Sequence, residues 1–277
     1  LVPVTIQICR VLNLQPVPLI IAEVMFSNIG GAATQIGDPP NIIIGAQLSA
    51  QSLSGGPLAG QGIGFSDFII HVAPAVVIAM IPAFWLLRIL EKPGLSGNRV
   101  RNVDLLRAQY GIKDVALLKK SGIILIGVIL LFFLHSAIPH PLLSVATIAL
   151  GGAVLMLLVT SPHRVEEQLD AVEWTTIIFF AGLFIMIHGL EYMGLIEMIA
   201  DLISDTISKA SEENRLMVAI LLLLWVSAIA SAFIDNIPYT ATMVPVVIQL
   251  ASDPVLDLPL GPLAWALALG ACLGGNG

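Results

Sequence analysis

The residues able to do chemistry are concentrated between two strongly apolar segments: Ser27, Asn28, Gly30 and Gly31, then Thr34, then Gly37-Asp38-Pro39-Pro40-Asn41. Hydroxyls, amides and one carboxylate in that setting are groups that bind a small polar solute or ion. The same stretch predicts a break in the chain, because glycine costs a helix about 1 kcal/mol and proline about 3 per position. Unwound backbone at membrane depth survives only where protein buries it or where it lines a water-filled cavity. The stretch therefore reads first as a binding loop.

A second group lies near the end. Ser231, Asp235-Asn236-Ile237-Pro238, Thr240 and Thr242 interrupt one apolar segment, and Gly274-Gly275-Asn276 ends another. Asp38 and Asp235 are the only carboxylates inside the predicted re-entrant elements. An ionised carboxylate at the bilayer midplane costs at least about 2.5 kcal/mol, so each calls for a cation or a proton. For Asp38 two roles stay open, ion ligand and N-cap of the half-helix that begins at Pro-Pro. The Asn-Ile-Pro that follows Asp235 argues against a simple cap there. Ser27 and Ser231 are ligands or bond to their own helix backbone. His188 and Glu191, three apart on one helix face, are a proton relay or an interface-facing pair. Glu23, midway along the first half-helix, is expected to face the cavity. His71, His135, His140 and His163 read as interfacial, and Trp85 and Trp174 as membrane anchors.

The elements that position these groups follow from composition. Of 277 residues, 57% are hydrophobic and 11% charged, and mean hydropathy is +0.95, whereas a soluble domain carries about 25% charged residues. Apolar stretches of helix length, without the ten-residue alternation of an outer-membrane barrel, predict an all-α integral membrane protein. The net charge of -7 comes with no basic cluster interleaved with aromatics, which sets nucleic-acid binding aside. Cys9 and Cys272 stand at opposite ends without metal spacing, so neither a disulfide framework nor a metal site is expected.

Along the chain, 1–11 reads as a short helical arm, 16–26 and 40–50 as half-helices flanking the glycine loop, and 65–90 as a full span. Eight of the twelve basic residues fall between Arg88 and Lys120, so the positive-inside rule places loop 88–120 in the cytoplasm, with 91–120 as a solvated linker. Spans at 121–136, 142–160 and 174–193 follow, then an amphipathic helix lying along the outer interface, in which Ile196, Ile199, Leu202, Ile203 and Ile207 oppose Glu197, Asp201 and Asp205. A re-entrant hairpin over 216–250 and a half-helix over 259–273 complete the order. The missing initial Met and the stop within a glycine loop predict a fragment of a longer carrier.

The two halves share a pattern. Val2-Pro3-Val4-Thr5-Ile6-Gln7 matches Val244-Pro245-Val246-Val247-Ile248-Gln249, and Pro18-Leu19, Ala22 and Gly30-Gly31 align without gaps on Pro262-Leu263, Ala266 and Gly274-Gly275. Interrupted segments at corresponding places in two halves point to a midplane transport site. Three spans and one hairpin arm separate the copies, which predicts inverted topology: 1–90 ends a first repeat and 121–277 forms most of a second.

With SNIGGAATQIGDPPN (27–41), SAFIDNIPYTATMVPV (231–246) and GACLGGNG (270–277) in view, the sequence resembles the ion transporter superfamily. Within it, the resemblance is to the arsenite permease and citrate-transporter-like group, in the pigmentation-associated branch with its bacterial relatives. It implies an inverted-repeat secondary transporter with re-entrant hairpins and unwound helices. Carried over by position, Ser27, Asn28 and Thr34 are the first-loop ligands, Asp235, Asn236 and Thr240 the second hairpin tip, and Asn276 the second loop. The paired Ser-Asn-Thr signature of the dicarboxylate carriers is not intact here.

The expected function is ion-coupled movement of a small anion (inorganic anion, arsenite or carboxylate) by alternating access, with H⁺ or Na⁺ as coupling ion and no other cofactor. The expected setting is a multi-pass place in a lipid bilayer, plasma or inner membrane in a bacterium and organelle membrane in a eukaryote, and a homodimer is compatible with it. The alternative carrier is a sodium/proton antiporter, and a saturation test separates either from a channel. An intramembrane aspartyl protease, the reading from another class, is disfavoured, since Gln35 stands where Gly-x-Gly-Asp needs glycine and Tyr-Asp is absent.

Overall fold

The computed structural model describes residues 2–12, 14–50, 52–90, 114–138 and 143–275, and among these every regular element is helical. Thirteen helices run in order: α1 (Val2–Leu12), α2 (Pro16–Gly31), α3 (Pro39–Gln47), α4 (Phe65–His71), α5 (Ala73–Leu90), α6 (Val115–Ala137), α7 (Val145–Thr160), α8 (Val165–Asp170), α9 (Trp174–Tyr192), α10 (Leu195–Ser208), α11 (Glu212–Phe233), α12 (Asn236–Ser252) and α13 (Leu260–Gly274). Most of the basic linker, together with His140 and Asn276, lies outside the described residues.

The apolar helices divide into two kinds. α5, α6, α9 and α11 are long and apolar enough to cross a membrane. They turn large side chains outward: Ile78, Ile123, Ile178 and Ile185 are each about 70% exposed (69%, 72%, 70% and 74%). Apolar surface on that scale is a lipid-facing or partner-facing surface, not one made for water. α13 is the other kind, with ten of its fifteen residues buried. Around it pack α11, α12, α3 and α2, and this central group carries the candidate site.

Small residues let α11 and α13 approach closely. A Cβ on Gly270 would stand 2.5 Å from the Leu224 carbonyl and 2.6 Å from the Ser227 Cβ, and one on Gly274 would collide with the Ala228 carbonyl. Backbone contact through small residues is how helices associate where lipid removes the hydrophobic drive. The Ser231 hydroxyl closes the same seam by donating to the Ala271 carbonyl at 2.7 Å, so it bonds to the neighbouring helix instead of its own.

Several boundaries differ from the sequence reading for identifiable reasons. The stretch 65–90 is two helices: Pro74 has no N–H to close the turn begun at Ile70, and the helix divides at Val72. α6 starts at Val115 rather than 121, because Asp114 caps it by accepting from the Leu117 N–H at 2.8 Å. α7 begins at Val145, capped by Ser144; its 16 residues make about 24 Å, short of a ~30 Å hydrocarbon core. α11 begins at Glu212 and reaches 22 residues. The amphipathic pattern of α10 is real but differently used: Ile196, Ala200, Ile203 and Ile207 are buried, α12 and α11 pack on the helix, and Leu202 is exposed.

α4 ties the outer helices to the centre. Phe65 packs against Phe132 and Phe133 of α6, with ring centroids 5.2 and 5.3 Å apart. On the other side Phe68 meets Trp265 of α13 edge-on at 5.0 Å, and His71 stacks nearly parallel on the same indole at 5.5 Å.

Candidate functional site

α2 does not end where its glycines begin. Ser27 through Gly31 are helical, and the break falls at Ala32–Asp38. Helical glycine is tolerated here because close approach demands it: a Cβ on Gly31 would lie 2.6 Å from the Gly37 carbonyl, and one on Gly37 would run into Gly31. The chain leaves α2, turns, and returns to touch the helix end.

Asn41 holds that turn shut. Fully buried, it donates from Nδ2 toward the carbonyls of Ala32 and Thr34, both at 3.0 Å, and Gly31 at 3.4 Å. These include carbonyls that the end of α2 leaves without helical partners. Its Oδ1 accepts from the Cys272 thiol of α13 at 3.5 Å. Both ends of the amide are thus engaged within the protein, which makes Asn41 a bracket rather than an open ligand.

Asp38 is different. It occupies the N-cap position of α3 with extended backbone, but its side chain makes no capping hydrogen bond. It is 9% exposed, it lies against the Cys272 thiol, and its Oδ2 is buried without a hydrogen-bond partner. Pro39 and Pro40 fill the first two helical positions, removing two of the N–H groups that a helix start ordinarily presents. The local donors are therefore few.

Asp235 reverses the expectation drawn from its neighbours. It is exposed, and its Oδ1 accepts from the Ile237 N–H at 2.9 Å, a direct cap of α12. The Asn-Ile-Pro that follows does not prevent this, because proline at the third helical position leaves the second residue free to donate. Thr242 bonds back to the Pro238 carbonyl at 2.9 Å. Thr240 is fully buried and its hydroxyl has no hydrogen-bond partner.

The two glycine segments meet. The Asn28 amide of α2 donates to the Gly275 carbonyl at the end of α13, 3.4 Å away and 247 residues on. A Cβ on Gly275 would in turn lie 3.2 Å from the Asn236 amide. Asn28, Gly275 and Asn236 thus form one junction, and Asp38, Asn41 and Cys272 form a second along the same α13. Ser27 faces outward and Gly30 has open space around it.

His188 and Glu191 form a pair, Nδ1 to Oε2 3.4 Å, but both side chains are largely exposed. Glu191 borders a groove of about 420 Å³ together with Gln47, Glu197 and Gln249, and no residue of the glycine segments lines it. Two polar residues outside the sequence-derived set belong near the site. Gln35 is buried in the turn with its Oε1 unpartnered, its side chain filling the space that a Cβ on Gly45 would need. Tyr239 donates to the buried Ser227 at 3.0 Å, joining α12 to α11. Their signal in the sequence is only a polar residue in an apolar setting.

The profile of the citrate transporter family matches residues 1–270. The chain belongs to that family. It is 37% identical to the P protein of Sus scrofa, over 99% of this chain and 39% of the relative, and 36% identical to the P protein of Homo sapiens, over 99% and 40%. It is 38% identical to an uncharacterized transporter of Mycobacterium tuberculosis strain H37Rv, over 99% of this chain and 59% of that protein. The chain therefore spans about two fifths of the P proteins and three fifths of the mycobacterial transporter. Family membership and the apolar helices place the chain within a family of membrane transporters.

Proposed function

We propose that the intact protein is an ion-coupled secondary transporter, working by alternating access, that moves a small anion across the membrane. The observation that carries this reading is the convergence of the two Gly-Gly segments through Asn28 and Gly275, beside a buried carboxylate, Asp38, with one oxygen free. An inverted pair of repeats accounts for that convergence, since each copy contributes one interrupted helix to a shared centre. In this reading α11 and α12 act as the hairpin of the second repeat, loop 88–120 is cytoplasmic, and the coupling ion is H⁺ or Na⁺.

The donor inventory favours a cation near Asp38. Proline fills the opening positions of α3 and the third position of α12, and Asp235 takes the Ile237 N–H. The free Oδ2 of Asp38 and the carbonyls of the unwound turn are groups suited to Na⁺ or H⁺. This observation also supports the second reading, a sodium/proton antiporter in which Asp38 binds the transported cations.

Flux by the full-length parent protein in proteoliposomes decides between them. Na⁺ and pH gradients are imposed separately against arsenite, chloride, citrate and succinate. Gradient-driven accumulation of one anion supports the anion carrier and names its driving ion. Na⁺/H⁺ exchange that proceeds with no anion present overturns it in favour of the antiporter.

A further inference from the structure

Glu23 is the one ionisable side chain of α2, set in an apolar run on the side of the helix that meets α1. Its Oε2 accepts from the Thr5 hydroxyl at 2.5 Å, while its Oε1 is closed off from solvent and has no hydrogen-bond partner. The elements packed on α2 bring no counter-charge to it. α1 carries Arg10, in its last turn, and the thiol of Cys9. α5 carries only Arg88, also in its last turn, and α13 only Cys272. The ion pairs among the described residues are Arg164–Glu167 and His188–Glu191, and neither arginine pairs with Glu23.

A carboxylate so placed is incomplete. One oxygen is oriented by a hydroxyl, the other is shielded from water without a partner, and an uncompensated charge there is costly. A small monovalent cation completes the set: Na⁺ takes Oε1 with the Thr5 oxygen as a second ligand, or H⁺ takes Oε1 while Thr5 continues to donate to Oε2. Eight residues separate Glu23 from Gly31, about 12 Å of helix, so this position is distinct from the glycine junction.

We propose that Glu23 and Thr5 form a second monovalent-cation site, between α1 and α2, apart from the Asp38 region. It stands whether or not the transported solute is an anion, and its test does not use flux. The full-length parent protein is reconstituted and treated with dicyclohexylcarbodiimide, which modifies protonated carboxyl groups in apolar surroundings, and the modified peptides are mapped by mass. In low sodium, Glu23 is expected to label several-fold above the exposed Glu166 and Glu167. If the cation is Na⁺, added sodium at fixed pH suppresses that labelling. If it is H⁺, sodium has no effect and raising the pH suppresses it. Labelling of Glu23 no greater than at Glu166 and Glu167 overturns the site. Thr5→Val keeps the shape of the side chain and removes the oxygen, so it is expected to move the sodium or pH dependence; an unchanged dependence overturns the part assigned to Thr5.

Discussion

At the scale of single residues, Asp38 and Asn41 lie three apart and have opposite surroundings. The amide of Asn41 is committed to three carbonyls of the turn and to the Cys272 thiol. Leucine there fits the volume but takes the amide from the Ala32 carbonyl, to which no backbone N–H donates, while the Gly31 and Thr34 carbonyls keep the N–H groups of Thr34 and Gly37; a buried acceptor left without a partner costs about 1–3 kcal/mol. Asn41→Leu is accordingly expected to destabilise the full-length protein by about 2 kcal/mol or more, seen as a lower midpoint of thermal unfolding in detergent. Asp38, with its free oxygen, makes no cap to lose. Asp38→Ala and Asp38→Asn are expected to leave that midpoint nearly unchanged and to abolish gradient-driven flux in proteoliposomes; full flux in Asp38→Asn counts against the ion-binding role. Asp235→Ala is expected to act the other way, removing the cap of α12 at a cost of about 1 kcal/mol.

At the scale of helices, the α11–α13 seam depends on the absence of side chains. Gly270→Ala and Gly274→Ala each push a Cβ into the backbone of α11, and overpacking of that kind costs about 1–3 kcal/mol. Gly122→Ala and Gly127→Ala, where nothing lies within 4 Å, serve as controls and are expected to be neutral or mildly stabilising, because alanine favours helix by about 1 kcal/mol. Unfolding midpoints of the four variants test this ordering. Helix existence was legible from apolar run length, and a break in the Gly-Asp-Pro-Pro region from its breakers. The position of the break was not, because tolerance of helical glycine at Gly31 depends on what passes beside it. The cap made by Asp235 was missed for a related reason: proline at the third helical position does not hinder a cap that uses the second. The burial of α10 against α12 was hidden as well, since an amphipathic stripe has the same sequence whether it meets protein or lipid.

For the whole molecule, membership of a transporter family and an all-helical apolar architecture were both readable from composition and motifs. The Glu23–Thr5 contact was not, because its partners belong to different helices and share no sequence signature. Orientation is open to direct measurement. If loop 88–120 is cytoplasmic, single cysteines replacing Lys119 and Glu167 in a cysteine-free background are expected to react with an impermeant maleimide from the same side, and one replacing Ser208 from the opposite side. Reaction of Lys119→Cys and Ser208→Cys from one common side overturns the assigned topology.

The stacking of His71 on Trp265 has a consequence of its own. An imidazole lying parallel to an indole quenches its emission, and these two rings belong to α4, which is bound to the outer helices, and α13, which is bound to the centre. With Trp85, Trp174 and Trp225 replaced by phenylalanine, Trp265 becomes an optical gauge of the gap between the two. Its fluorescence is expected to brighten if α13 and α4 separate during turnover and to stay constant if they move as one body, a measurement that needs no attached dye.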